Sequence, residues 1–276
     1  MLRQVAFSGL HPMPTPKQIT FVVAVNKRDV LENNFLASPC LRMPHSHQII
    51  LQEGYSSAAK AYNEAIDRSV NDLIIFIHQD MILPEPWLSQ LWAALDLLER
   101  EDPNWGVLGC GGTARDGSGR GHLYSLGVGM LGEPFERPAE VRVLDEIVLM
   151  LRKSSGLRFD AALPHFHLYG TDICLRAESL GKKNYVIPAF SVHNTHYGLI
   201  LPNEFYQCCR HIRRVWHDSL PVQTPCIRIT KFNVPIYGRR MLEFYLRYIR
   251  RKKLSSKRAD DVPALIEAVS IKGNKA

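Results

Sequence analysis

The apolar positions along the chain come in short blocks separated by helical patterns. Ile19 to Val25 is a β-branched, almost wholly apolar run, of the kind that suits a strand covered on both faces. A short helix is expected over Asp29 to Leu36, a second strand over His47 to Gln52, and an alanine-rich helix over Ser57 to Ser69 with Ser56 or Ser57 as N-cap. Leu73 to Ile77 reads as a third buried strand and Trp87 to Arg100 as a long helix. Strand alternating with helix in this way predicts a parallel sheet with right-handed crossovers. After Gly106 the glycines at 109, 111, 112, 117, 119 and 121 announce hairpins, and Val141 to Leu151 reads as one or two further strands. Helix returns over Gly170 to Leu180 and Pro202 to His217, with a strand at Tyr185 to Ile187 between them. Residues 1–18, rich in proline, read as an extended lead-in, 19–220 as one α/β domain, and 221–276 as a basic helical extension.

Where such a sheet binds ligand is at the carboxyl ends of its strands. The third strand runs straight into His78-Gln79-Asp80 before apolar character resumes at Met81. A carboxylate there either holds a hard divalent cation such as Mg²⁺ or Mn²⁺, or serves as a turn or capping residue, and local pattern does not separate the two. The pairs His165-x-His167 and His193-x-x-His196 also raise a rival zinc-hydrolase site.

Three segments together resemble GT-A-type glycosyltransferases of family two. They are Val25 to Pro39, the helix Ser57 to Ile66, and Ile75-Phe-Ile-His-Gln-Asp-Met-Ile-Leu-Pro84 followed by Trp87. The similarity is to the branch associated with bacterial capsule and surface polysaccharide synthesis, and His165 to Asp172 and His193 to Gly198 continue it over about residues 19–200. The resemblance implies a GT-A fold and transfer of a sugar from a nucleotide-diphosphate donor to a glycan or lipid-linked acceptor, with inversion. It implies that Asp80, with His193 or His196, holds Mn²⁺ or Mg²⁺, that Val25, Asn26, Glu53, Asn63, His78, Gln79 and Asp145 line the donor site, and that Asp172 activates the acceptor. Asp172 also reads as an ordinary first-turn acid favoured by the helix dipole. A non-catalytic sugar-nucleotide binder is the alternative that the histidine at position 78 supports.

Charge refines this picture. The net charge is +7, but nine cations between Arg239 and Arg258 stand against Glu243 alone, so that segment carries +8 and the rest of the chain −1. Its apolar and aromatic residues recur at helical spacing from Met241 to Leu254. Either this helix packs on the body with a solvated basic tip, or it docks on an anionic membrane. Nothing else suggests nucleic acid. The six cysteines form no Cys-x-x-Cys pair and read as reduced core thiols. Without an apolar run of roughly 18 residues or a signal-like start, the expectation is a cytoplasmic protein, peripheral on the inner face of the membrane.

Overall fold

A computed structural model describes residues 18–42, 46–195, 201–249 and 257–273. The N-terminal lead-in up to residue 17 and His196 lie outside these residues. The first half forms β1 (Thr20–Val25), α1 (Arg28–Asn33), β2 (Gln48–Glu53), α2 (Ala58–Arg68), β3 (Leu73–His78), β4 (Met81–Ile82) and α3 (Trp87–Glu101). Ser57 caps α2, its hydroxyl accepting the Lys60 N–H at 3.4 Å. β1 lies between β2 and β3 and is parallel to both, with Val22 opposite Ile50 on one side and Phe76 on the other.

The glycine-rich stretch gives β5 (Leu108–Gly109), β6 (Gly111–Thr113), β7 (Gly119–Gly121), β8 (Leu123–Ser125) and β9 (Gly129–Leu131). β10 (Ala139–Val141), β11 (Val143–Leu144) and β12 (Val148–Arg152) follow, then α4 (Tyr169–Ser179), β13 (Asn184–Val186), β14 (Ser191–His193) and α5 (Asn203–Val215). The main sheet has the order β10-β13-β5-β12-β3-β1-β2. Only β12 and β10 run against the others, so the sheet is mixed but mostly parallel.

Both faces of the sheet are covered, which is why its strands are apolar without alternation. Val22, Ile74, Phe76 and Leu149 face α2 and α4, while Phe21, Val23, Ile75, Ile77 and Met150 face α3. Each such side chain contributes about 1.5–3 kcal/mol when fully buried. A smaller sheet pairs β14 with β4, placing His193 opposite Met81, next to the turn that follows β3.

The boundary expected at residue 220 is not where the core ends. β15 (Val222–Gln223) and β16 (Arg228–Ile229) put Val222, Ile227 and Ile229 into the same cluster as α2 and α4. α6 (Val234–Phe244) runs into a single π turn at Tyr245–Ile249, and here Met241, Phe244, Tyr248 and Ile249 are exposed, so the apolar side does not pack on the body. α7 (Val262–Gly273) returns: Val262, Leu265 and Val269 bury against Ile82 of β4 and Val192 of β14. The six cysteines are free thiols, five of them buried.

Candidate active site

β3 ends at His78, and the chain turns through Gln79 and Asp80 into β4. Gln79 ties this turn to the end of β1: its side-chain carbonyl accepts the backbone N–H groups of Asn26 and Lys27, each at 3.1 Å, and its amide donates to Asn26 Oδ1. Gln79 therefore sets the β1–α1 loop rather than facing ligand. The Asn194 N–H donates to the Asp80 carbonyl at 2.9 Å, which holds the end of β14 against the same turn.

These links bring His78, Asp80 and His193 together, with one ligand atom of each within 4.8 Å of the others. His193 Nε2 lies 3.3 Å from Asp80 Oδ1. Burial opposes ionisation of Asp80, but the hydrogen bond and charge of His193 and the hydrogen bond from Arg258 outweigh it and hold the carboxyl well below the usual range. Burial pushes the His78 imidazole down to about 4, so it is neutral at pH 7. Its Nε2 is 2.8 Å from the Tyr169 hydroxyl, which itself donates to the Glu146 carbonyl at 2.9 Å. With that hydroxyl proton committed, His78 Nε2 is the donor and Nδ1 keeps its lone pair. One anionic carboxylate and a neutral imidazole beside a second imidazole form a donor set that fits a divalent cation, Mn²⁺ more readily than the oxygen-seeking Mg²⁺.

Asp145 and Glu146, between β11 and β12, lie close to this group. Burial, and then the charge of Glu146, raise Asp145 to about 6, with His193 pulling the other way. The Glu146 carboxylate accepts the Leu168 N–H and stands 3.9 Å from His167 Nδ1. The loop leading to α4 carries left-handed backbone at His165 and Leu168, neither of them glycine, a conformation that costs of order 1–3 kcal/mol each. Glu146, Tyr169 and Arg258 escaped the sequence reading. Adjacent acids at the mouth of a strand were a usable signal for Glu146; Tyr169 and Arg258 gave none.

Other expected site residues sit apart. Val25 is buried at the end of β1 and Asn26 is exposed beside it. Glu53 is exposed at the end of β2 and paired with Arg28 at 3.2 Å. Asn63 is engaged elsewhere, its amide bonded to both backbone groups of Phe159 at 2.8 and 3.0 Å.

Asp172, expected to activate the acceptor, lies inside the fold. It is fully buried, Oδ1 accepts the Trp216 indole N–H at 2.7 Å, and Oδ2 accepts the Asp160 N–H at 3.3 Å. Burial raises its pKa in spite of the Trp216 bond. Both of its oxygens are thus engaged by protein donors. The N-cap of α4 is Leu168. The four-histidine zinc site does not assemble among the described residues, since His165 bonds to Gln207 and His167 faces Glu146 and Phe205.

The sequence model of the glycosyltransferase-like family matches residues 20–206, about two thirds of the chain and all of the site except its C-terminal part. The chain belongs to this family. It is also 31% identical over 154 residues to the Fuscovulum blasticum protein named ATP synthase subunits region ORF 6, covering 54% of this chain and 61% of that one. Among solved structures it is similar to Staphylococcus aureus TarS 1-349 (13% identity, TM-score 0.46, 71% of this chain and 64% of that one). The same TarS fragment in complex with UDP gives 14% identity and a TM-score of 0.47, over 72% and 64%. Likeness at that level carries no weight for this family member; the GT-A-type assignment stands on the family match and the strand order. The chain spans less than two thirds of the length of these relatives.

Proposed function

We propose that this glycosyltransferase-family chain binds a nucleotide-diphosphate sugar at the β1–β3 edge and transfers the sugar, with inversion, to a glycan or lipid-linked hydroxyl. The observation that carries the reading is the His78–Asp80–His193 group, gathered at the carboxyl end of the parallel strands in a member of this family. Val25 and Asn26 border the base and ribose pocket. Asp80 and His193, with His78 behind them, would hold a divalent cation, Mn²⁺ in preference to Mg²⁺; when bound, the ion neutralises charge on the departing diphosphate.

Attack of the acceptor hydroxyl on the anomeric carbon requires a group to take its proton. With Asp172 enclosed, we assign that role to Asp145 beside Glu146, since burial and then the charge of Glu146 raise Asp145 to about 6, basic enough to accept a proton near neutral pH. The enclosure of Asp172 also favours a second reading, a chain that binds sugar nucleotide without turning it over. Transfer or hydrolysis of a sugar nucleotide that disappears in Asp80→Asn excludes that second reading.

The exposed apolar residues of α6, together with the surrounding cations, fit docking on an anionic membrane, where a lipid-linked acceptor would lie. Among the described residues no helix is long and apolar enough to cross a membrane.

The test is calorimetric titration of UDP, GDP and dTDP, with and without Mn²⁺, into wild type and Asp80→Asn. Binding of one nucleotide that needs the metal and is lost in the variant is the expected result. Absence of binding under every condition overturns the reading.

A further inference from the structure

One cation of the C-terminal run turns inward. Arg258 Nη2 donates to Asp80 Oδ2 at 3.0 Å and its Nε donates to the Asn194 carbonyl at 3.1 Å, with the two charged side chains 18% and 9% exposed. Asp80 thus divides its oxygens, Oδ1 toward His193 and Oδ2 toward Arg258.

The segment that carries Arg258 is fixed rather than draped. Asn194, wholly buried, pairs with both backbone groups of Ala259: its Oδ1 accepts the N–H at 2.8 Å, and its Nδ2 donates to the carbonyl at 2.9 Å. Beyond it, α7 anchors the strap through Val262, Leu265 and Val269 on the two strands that flank Asp80 and His193. Between strap and β1–α1 loop lies a cavity of about 580 Å³. Its charged lining is Lys27, Lys257 and Arg258 against Asp29 and Asp260.

A guanidinium has five N–H donors in a fixed fork, and among the described residues Arg258 commits two of them to protein acceptors. The remainder stand at the wall of a cavity with two lysines, an arrangement suited to phosphate oxygens, which arginine grips bidentately. A side chain serving only to neutralise Asp80 would need neither the cavity nor the lysines that line it.

We propose that Arg258 is a donor-binding residue: the C-terminal strap completes the active site, and its guanidinium, held on Asp80 and Asn194, contacts the diphosphate of the nucleotide sugar from the cavity side. The inference rests on the donor reading above. It adds a site residue from outside the span that defines the family, with Lys27 and Lys257 supplying the charge around it. No covalent step is assigned to Arg258; it orients the diphosphate and faces the charge that grows there as the sugar leaves.

The experiment compares wild type, Arg258→Gln and Arg258→Lys by calorimetry. Each is titrated with UDP, GDP and dTDP and with the matching monophosphates, with and without Mn²⁺, and each is checked for fold by circular dichroism and melting. For the diphosphate that wild type binds, Arg258→Gln is expected to weaken affinity about 10- to 100-fold, the range for loss of a charge-assisted contact. The monophosphate should change less than about threefold, since it lacks the group that the fork holds. Arg258→Lys keeps the charge without the fork and should fall between, about three- to tenfold weaker.

Diphosphate affinity unchanged in a folded Arg258→Gln overturns the proposal. So does tighter binding, which would make the strap a plug that donor must displace. Should Arg258→Gln not fold, unaltered diphosphate affinity in Arg258→Lys overturns it instead. A wild type that binds none of these nucleotides overturns the donor reading itself, and is thereby told apart from a null result at Arg258.

Discussion

Asp80 and Asp172 are both buried acids, and their partners separate their roles. Asp80 meets two imidazoles and a guanidinium, and the bonds from His193 and Arg258 favour the carboxylate. Asp172 meets an indole and a backbone amide, neutral donors that fasten α4 to the 160 loop and to the end of α5. Under the proposed reading, the first environment prepares a charge for ligand and the second uses a carboxylate as a strut. Asp172→Ala should therefore act on stability. It strands the Trp216 N–H, and an unsatisfied buried donor costs about 1–3 kcal/mol, visible as a lowered melting temperature. Nucleoside diphosphate affinity should stay within about threefold of wild type, because no donor-binding group is touched. Unchanged melting together with lost turnover would restore Asp172 as the base and remove that role from Asp145 and Glu146.

At the level of elements, the site depends on how closely α4 approaches the β11–β12 loop. A Cβ added at Gly170 would stand 2.9 Å from the Leu144 carbonyl oxygen and 3.3 Å from the Glu146 nitrogen. Both neighbours are backbone and have little room to yield. Gly170→Ala gains about 1 kcal/mol in helix propensity, yet forced overpacking typically costs about 1–3 kcal/mol, so net destabilisation is expected. The strain falls on the loop carrying Asp145, and donor affinity measured by calorimetry should weaken with it; a variant as stable and as tight-binding as wild type would show that this contact is slack. The same elements mark what the sequence discloses. The strands β1 and β3 were legible because both-face burial leaves an unbroken apolar run, and Ser57 because an N-cap is a local signal. Asp80 followed from its position at a strand end. The partner of Asp172 was not legible, because a first-turn acid looks alike whether it faces a cleft or a tryptophan 44 residues away. The His165-x-His167 spacing misled: left-handed backbone at His165 breaks the strand geometry that would have aimed both rings one way. Arg258 was hidden among eight other cations, since composition does not tell which member of a charged run turns inward.

Across the whole molecule, that charged run divides its work between two surfaces. Arg258 closes on the site, whereas Arg239 and Arg240 are held near the body by Glu243 and by Asn203 with the Tyr206 ring. Nine of the sixteen large apolar residues exposed among the described residues fall between Phe232 and Ile249, a concentration that marks an interaction surface rather than ordinary scatter. In sequence, Arg250, Arg251, Lys252 and Lys253 follow immediately. Apolar and aromatic side chains beside a basic cluster match the interfacial region of an anionic bilayer, where rings enter the headgroup layer and each cation contributes about 1 kcal/mol. In sequence only residues 250–256 separate this face from Lys257 at the cavity, so under the proposed reading a lipid-linked acceptor would be met near the site. Vesicles of phosphatidylcholine with and without phosphatidylserine test this by cosedimentation. Binding should require the anionic lipid and weaken as salt is raised, because the charge part of the attraction is screened. Replacing residues 250–253 together by glutamine should cost about 4 kcal/mol, near a thousandfold in partition, with nucleotide affinity in solution unaltered. Equal binding to neutral vesicles, or none to either, would leave the exposed face of α6 without a bilayer partner and the acceptor to be sought among soluble glycans.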